Sequence, residues 1–167
     1  MMRLVAVFLL SVFTTVAYAF DAEVSLNAPK DWECIDDPEQ LPKKVQLIYI
    51  GPAKARFNPS LNLAVEETDM PLQEYVHTAK EYHESVAETQ VVALGNLQTR
   101  SGTAILLQID RPTNWGAVRF IQATIVKDNV AYVMTATCLQ EEFGDHCSAF
   151  FDCFKSFEVK KPLKTNH

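Results

Sequence analysis

Alternation of apolar and polar positions dominates the second half of this chain. Residues 103–110 set Ile105, Leu107 and Ile109 against Leu106, Gln108 and Asp110. Residues 117–127 set Val118, Phe120, Gln122, Thr124 and Val126 against Arg119, Ile121, Ala123, Ile125 and Lys127. A period of two is that of a β-strand. Asp128-Asn129 separates the second run from residues 130–138, and both residues tolerate positive φ, so the spacing predicts a tight hairpin. Earlier in the chain, residues 45–50 and 61–65 are apolar, β-branched runs separated by a loop, 51–60, that Pro52 and Pro59 punctuate. They read as a second hairpin.

The period changes to 3.6 in two places. Leu72, Tyr75, Val76, Ala79, Tyr82, His83 and Val86 fall on one stripe of a helix over residues 71–86, with Glu74, His77, Glu81 and Glu84 opposite. Pro71 suits its first turn, where a missing N–H costs nothing. Cys147, Phe150, Phe151 and Phe154 sit at i, i+3, i+4 and i+7 of a second helix over residues 145–154, whose aromatic side must pack on the sheet.

The first nineteen residues follow neither period. Arg3 precedes an apolar run, residues 4–16, broken by Ser11, Thr14 and Thr15, and Ala17-Tyr18-Ala19 is a small-x-small cleavage site. This pattern is that of a secretory signal peptide over residues 1–19, with Phe20 as the mature N-terminus. The run is shorter than the about 20 apolar residues of a membrane span, and no later segment reaches that length. Cys34 is the first cysteine after the cleavage site, so a lipid on the first mature residue is not expected. The expectation is an exported chain, periplasmic or secreted, without a stable membrane anchor. Residues 20–167 are the length of a single domain, and the lysine-rich stretch from Lys155 to His167 reads as a short loose tail.

Short motifs add a resemblance. Ala28-Pro29-Lys30-Asp31-Trp32 opens the domain, and Leu61-Asn62-Leu63-Ala64-Val65 precedes the helix that carries Leu72 and Tyr75. Residues 131–137, Ala-Tyr-Val-Met-Thr-Ala-Thr, are followed by Phe143, Phe150 and a closing Ser156-Phe157. Together these resemble the PsbP-like superfamily over about residues 22–159: plant photosystem II extrinsic proteins, a nuclear Ran-binding branch and many exported bacterial proteins. The resemblance implies an α+β fold, an α/β/α sandwich with a central antiparallel sheet flanked by helices. It also implies a protein-binding or accessory role without catalytic chemistry. The four cysteines are not part of the family pattern, and no Ran-binding or photosystem-binding surface is marked in this chain.

Charge narrows the partners. Loss of Arg3 with the signal peptide leaves 14 basic residues against 21 acidic ones, a net of −7 in place of the −6 of the whole chain. Such a balance repels phosphate backbones and anionic lipid, so nucleic acid is not an expected partner. No Gly-x-Ser-x-Gly elbow, His-Glu-x-x-His, phosphate loop or glycine-rich dinucleotide fingerprint occurs, so no catalytic residue is assigned, and no cofactor or metal is expected. Asn58-Pro59-Ser60 is no glycosylation acceptor, because proline stands in the middle.

Four cysteines in an exported chain argue for two disulfides. On one helix Cys147 and Cys153 are separated by a rise of roughly 9 Å, beyond the ~7 Å Cα limit of a bridge. Cys138 ends a strand and Cys147 lies in the first turn of the helix that returns, which favours Cys138 with Cys147 and leaves Cys34 with Cys153. A metal site from Cys138, His146, Cys147 and Cys153 matches no zinc spacing. His83, on the apolar stripe, is expected to be a core or boundary residue with its nitrogens satisfied by backbone, and His77, Glu81 and Glu84 a solvated acidic face rather than a cation site.

Two loops carry the residue types that anchor interfaces: Lys54, Arg56 and Phe57 in the proline-bounded loop, and Trp115 at the tip Pro112-Thr113-Asn114-Trp115-Gly116. The competing expectation is that Phe57 and Trp115 fold back over the sheet ends. The leading reading is an exported, non-enzymatic accessory domain that binds a protein partner through these loops. The alternative is a carrier or sensor of a small apolar ligand, held between helix and sheet among Tyr75, Tyr82 and Phe120.

Overall fold

The two alternating runs around Asp128-Asn129 form the middle of the molecule. In the computed structural model, which describes residues 23–54 and 56–160, they are β7 (Gly116–Lys127) and β8 (Val130–Leu139), paired antiparallel from Lys127↔Val130 to Val118↔Leu139. Asp128 and Asn129 have φ of 52° and 60°, the left-handed pair that matches the twist of the flanking strands. The second expected hairpin is β3 (Val45–Ile50) with β4 (Ser60–Glu67), also antiparallel. β4 then pairs with β8 over eight residues, and β7 with β6 (Gly102–Thr113).

Four strands have no counterpart in the sequence reading. β5 (Gln90–Thr99) adds to the free side of β6, and β2 (Glu33–Ile35) to that of β3, giving a seven-stranded antiparallel sheet in the order β2-β3-β4-β8-β7-β6-β5. β1 (Glu23–Ser25) pairs with β9 (Glu158–Lys160) as a separate two-stranded ribbon, with Val24 opposite Val159. This ribbon corrects the expected loose tail over its first six residues: Phe157 is fully buried, and the Ser156 hydroxyl accepts from the Asn27 N–H at 2.8 Å. The signal peptide expected over residues 1–19, and residues 161–167, lie outside the described residues.

The two helices cover opposite faces, because neighbouring strand residues point to opposite sides. α2 (Phe143–Lys155) seats Phe150 and Phe154, both 0% exposed, against Leu61, Leu63, Ile121, Met134 and Ala136. α1 (Leu72–Glu84) places Val76 in a second cluster with Leu107, Ile109, Val118 and Phe120. Pro71 stands at its N-cap, as its missing donor allows. Tyr82 leaves the predicted stripe and is 41% exposed. The result is an α+β sandwich, helix on sheet on helix.

Phe151 is only partly buried at the margin of the main cluster, with its ring edge-on to Phe154 at 6.2 Å. Truncating Phe154 to alanine is therefore expected to cost about 3–5 kcal/mol in urea unfolding, and Phe151→Ala about half that or less. Equal losses would contradict the helix orientation.

Candidate partner-binding site

The β3–β4 loop is drawn together at its base. The Gly51 N–H donates to the Pro59 carbonyl at 2.8 Å, and Asn58 Nδ2 donates to the Gly51 carbonyl at 2.8 Å. A side chain at position 51 would have its Cβ 2.6 Å from the Trp32 ring and 2.9 Å from Pro59, so glycine is required by close approach. Trp32 itself sits edge-on to Phe150, at 6.0 Å between ring centroids, which ties the loop base to α2. From this base the loop turns Phe57 inward, where it joins Val118, Phe120 and Leu139 at 8% exposure.

The β6–β7 tip is held by one side chain. Thr113 Oγ1 donates to the Gly116 carbonyl at 2.8 Å and accepts the Trp115 N–H at 3.1 Å, while Gly116 takes φ of 122°. This presents Trp115 above Phe57, with ring centroids 6.2 Å apart and planes at 58°. Trp115 keeps 39% of its surface exposed. Both rings line an open cleft of about 270 Å³, together with Val118 and Phe120, Arg111 and residues 112–114. Two loops far apart in sequence thus make one aromatic site.

Not all four loop residues belong to it. Lys54 is drawn away into an ion pair with Asp145 at 2.7 Å; both side chains are more than half exposed, so the pair is worth little, although it holds the Asp145 carboxyl below its usual range. Arg56 is exposed on the same loop and is not among the residues that line the cleft. Of the two aromatics, Phe57 folds back over the sheet end and Trp115 keeps part of its ring exposed.

No protein-family model and no curated protein matches the chain. Solved structures do match it. LpqN of Mycobacterium tuberculosis superposes with a TM-score of 0.62 at 15% identity, covering 84% of each chain. Cyanobacterial PsbP of Synechocystis gives 0.55 at 11% identity over 90% of this chain and 99% of that one. The Saccharomyces cerevisiae Ran-binding protein Mog1p gives 0.52 at 16% identity over 81% and 89%. The chain has the PsbP/Mog1 fold.

On this PsbP/Mog1 sandwich the remaining candidate residues are scattered. Tyr75 donates its hydroxyl to the Glu66 carboxylate, Tyr82 faces outward and Phe120 lines the cleft, so the three residues of the carrier reading line no shared cavity. His77 pairs with Glu81 at 3.3 Å and Glu84 with Lys80. No group of three metal-binding side chains collects among the described residues. His146 instead lies against Trp32 and Phe150, at 6.3 and 5.9 Å between ring centroids.

The four cysteines are unbridged in this structure: Cys34 exposed, Cys147 half-buried, Cys138 and Cys153 buried in the main cluster. Burial pushes the Cys138 and Cys153 thiols up to about 12. They are protonated packing groups, poor nucleophiles at neutral pH.

His83 departs from expectation in one respect. It is buried on the inner side of α1, as its place on the stripe predicts, but neither ring nitrogen has a hydrogen-bond partner among the described residues. Burial, then the Arg111 guanidinium, lowers its pKa, and nearby Gln122 opposes the shift. Periodicity reports which side a residue faces and carries no information about whether a partner meets it there.

A histidine whose folded pKa is lowered binds fewer protons than the unfolded chain. Stability is therefore full above the unfolded value near 6.5 and falls as pH drops through it, until the folded group also protonates. Between about pH 7.5 and 5 the His83→Gln variant is expected to lose less stability than the parent in paired denaturant titrations. An equal loss would show that His83 does not contribute.

Proposed function

We propose that this chain is an exported, non-enzymatic accessory domain that holds a protein partner through the Phe57–Trp115 cleft. The observation that carries this reading is Trp115, standing part-exposed over an open aromatic cleft with the exposed Arg56 on the same loop as Phe57. Aromatic and arginine side chains of this kind dominate interface energetics. The cleft size and openness support the first reading over the second. Small-molecule sites run from about 300 to 1,000 Å³ and enclose most of their ligand, whereas about 270 Å³ of open cleft suits one side chain of a protein partner.

The structural neighbours support the reading at the level of fold. Mog1p is a Ran-binding protein, and LpqN is involved in cell envelope biogenesis. An envelope address also fits the signal peptide read from residues 1–19.

Trp115→Ala with Arg56→Ala is expected to weaken capture of the partner from the envelope fraction at least about tenfold, with the thermal midpoint nearly unchanged. Phe57→Ala should lower the midpoint as well, because that ring is buried. Unchanged capture by the Trp115→Ala, Arg56→Ala pair would move the interface off this cleft.

Export also bears on the thiols. In an oxidising compartment Cys138 closes with Cys147 and Cys34 with Cys153. Cys147 adds to the rise in the Cys138 pKa, and Tyr49, directly across β2–β3 from Cys34, is raised to about 12 by burial and then by Cys34 and Cys153 together. These electrostatic influences are what support the two pairings. Peptide mapping of the alkylated native protein should recover these two bridges, and the first contributes roughly 2.5–3 kcal/mol on the chain-entropy account. Four alkylated cysteines would refute both the bridges and the oxidising address.

A further inference from the structure

The sheet has two very unequal edges. β2 is three residues long, contains Glu33 and is followed by Asp36-Asp37-Pro38, the usual defences against pairing with another chain. β5 at the other edge is ten residues long and contains no charged residue and no proline, in a chain of net charge −6. Its outer side offers a row of unpaired backbone donors and acceptors. Val92 and Leu94, at 49% and 42% exposure, are two of the four large apolar side chains exposed on the described surface.

The charges just outside β5 carry the argument further. Glu88 precedes the strand and Arg100 follows it, each six residues from Leu94. When β5 pairs antiparallel with its own copy about a two-fold axis at Leu94, Glu88 of each chain falls opposite Arg100 of the other, Val92 opposite Asn96 and Gln90 opposite Gln98. Arg100 is available for this: its intrachain contact with Glu158 is long, at 3.9 Å, and both side chains are substantially exposed. The acidic surface elsewhere repels a second copy, so a neutral strand with opposite charges at its two ends selects this register. The β-bulge between Ala93 and Gly95 interrupts the ladder at the axis, leaving two arms, 90–93 and 95–98, to make the pairing.

We propose that β5 is a homodimer edge, joining two seven-stranded sheets into one continuous antiparallel sheet with paired Glu88–Arg100 contacts at its ends. The surface is separate from the cleft reading and stands or falls without it. A single pair of strands buries less than the roughly 1,200–2,000 Å² of a tight interface, so the dimer is weak and concentration-dependent.

Sedimentation velocity of the processed native protein, between about 1 and 100 µM, reads the equilibrium in the range where contacts of this size operate. Arg100→Glu should raise the dimer dissociation constant at least about tenfold, because it sets like charges opposite each other twice. Combining it with Glu88→Arg should restore dimerisation, which no loss of folding would do. Val92→Lys on the strand itself should also give monomer, with an unchanged circular dichroism spectrum. A monomer at every concentration overturns the proposal, as does a dimer that Arg100→Glu leaves intact or that the double exchange fails to restore.

Discussion

Strand β8 is hydrogen-bonded along both edges and covered on both faces, and the rest of the sandwich depends on that position. It is the fourth of seven strands, flanked by β4 and β7, and nine of its ten residues are buried. Its two faces are chemically different. Tyr132, Met134, Ala136 and Cys138 face α2 and the main core, whereas Thr135 and Thr137 face the other way. A one-residue slip would exchange the two sets, so the register is fixed by the cost of burying threonine hydroxyls under Phe150 and Phe154.

The polar face continues sideways. Gln122 and Asn62 lie opposite Thr135 on the two neighbouring strands, and Ser60 lies opposite Thr137. All are buried, and they form a polar strip between the α1-side cluster around Leu107 and Ile109 and the cluster of Val45, Ile48 and Ile50. His83 meets this strip at Gln122. The packing of α1 is concentrated on β5, β6 and β7, and the end of the sheet at β6–β7 carries Arg111, Val118 and Phe120 into the cleft. On the α2 side a different device fixes the same strands: Arg119 grips Asp110 with two hydrogen bonds of 2.8 and 2.7 Å, and the Phe143 ring lies 4.9 Å from the guanidinium. A planar, two-pronged contact of this kind orients as well as attracts.

Strands β6 and β7 and both helices are legible in the sequence because each has a face whose period states its geometry, while β3 and β4 are legible as apolar, β-branched runs around a proline-bounded loop and β8 as the run across the Asp-Asn turn. The β7–β8 turn is legible because Asp-Asn is chemically suited to the two positive φ angles it adopts. β5 is not legible: Val91, Val92 and Leu97 are interrupted by Gly95 and the bulge, and most of the strand faces water, so no alternation survives. β1, β2 and β9 are three residues each, too short for any period to show.

The sequence by itself set Phe57 and Trp115 apart as loop aromatics of the type that anchors interfaces, since side-chain chemistry is local. It determined the sandwich through periodicity, since which face is apolar is also a local property. Tertiary structure decided the site. Residues 57 and 115 meet only because β4, β8, β7 and β6 lie side by side and bring the β3–β4 loop and the β6–β7 tip to the same end of the sheet. It likewise decided that Lys54 turns to Asp145 on α2, that Phe57 is buried while Trp115 is not, and that His83 is left without a hydrogen-bond partner among the described residues. Each of these is a contact between segments distant in the chain, and the strand order that creates them is written in no single segment.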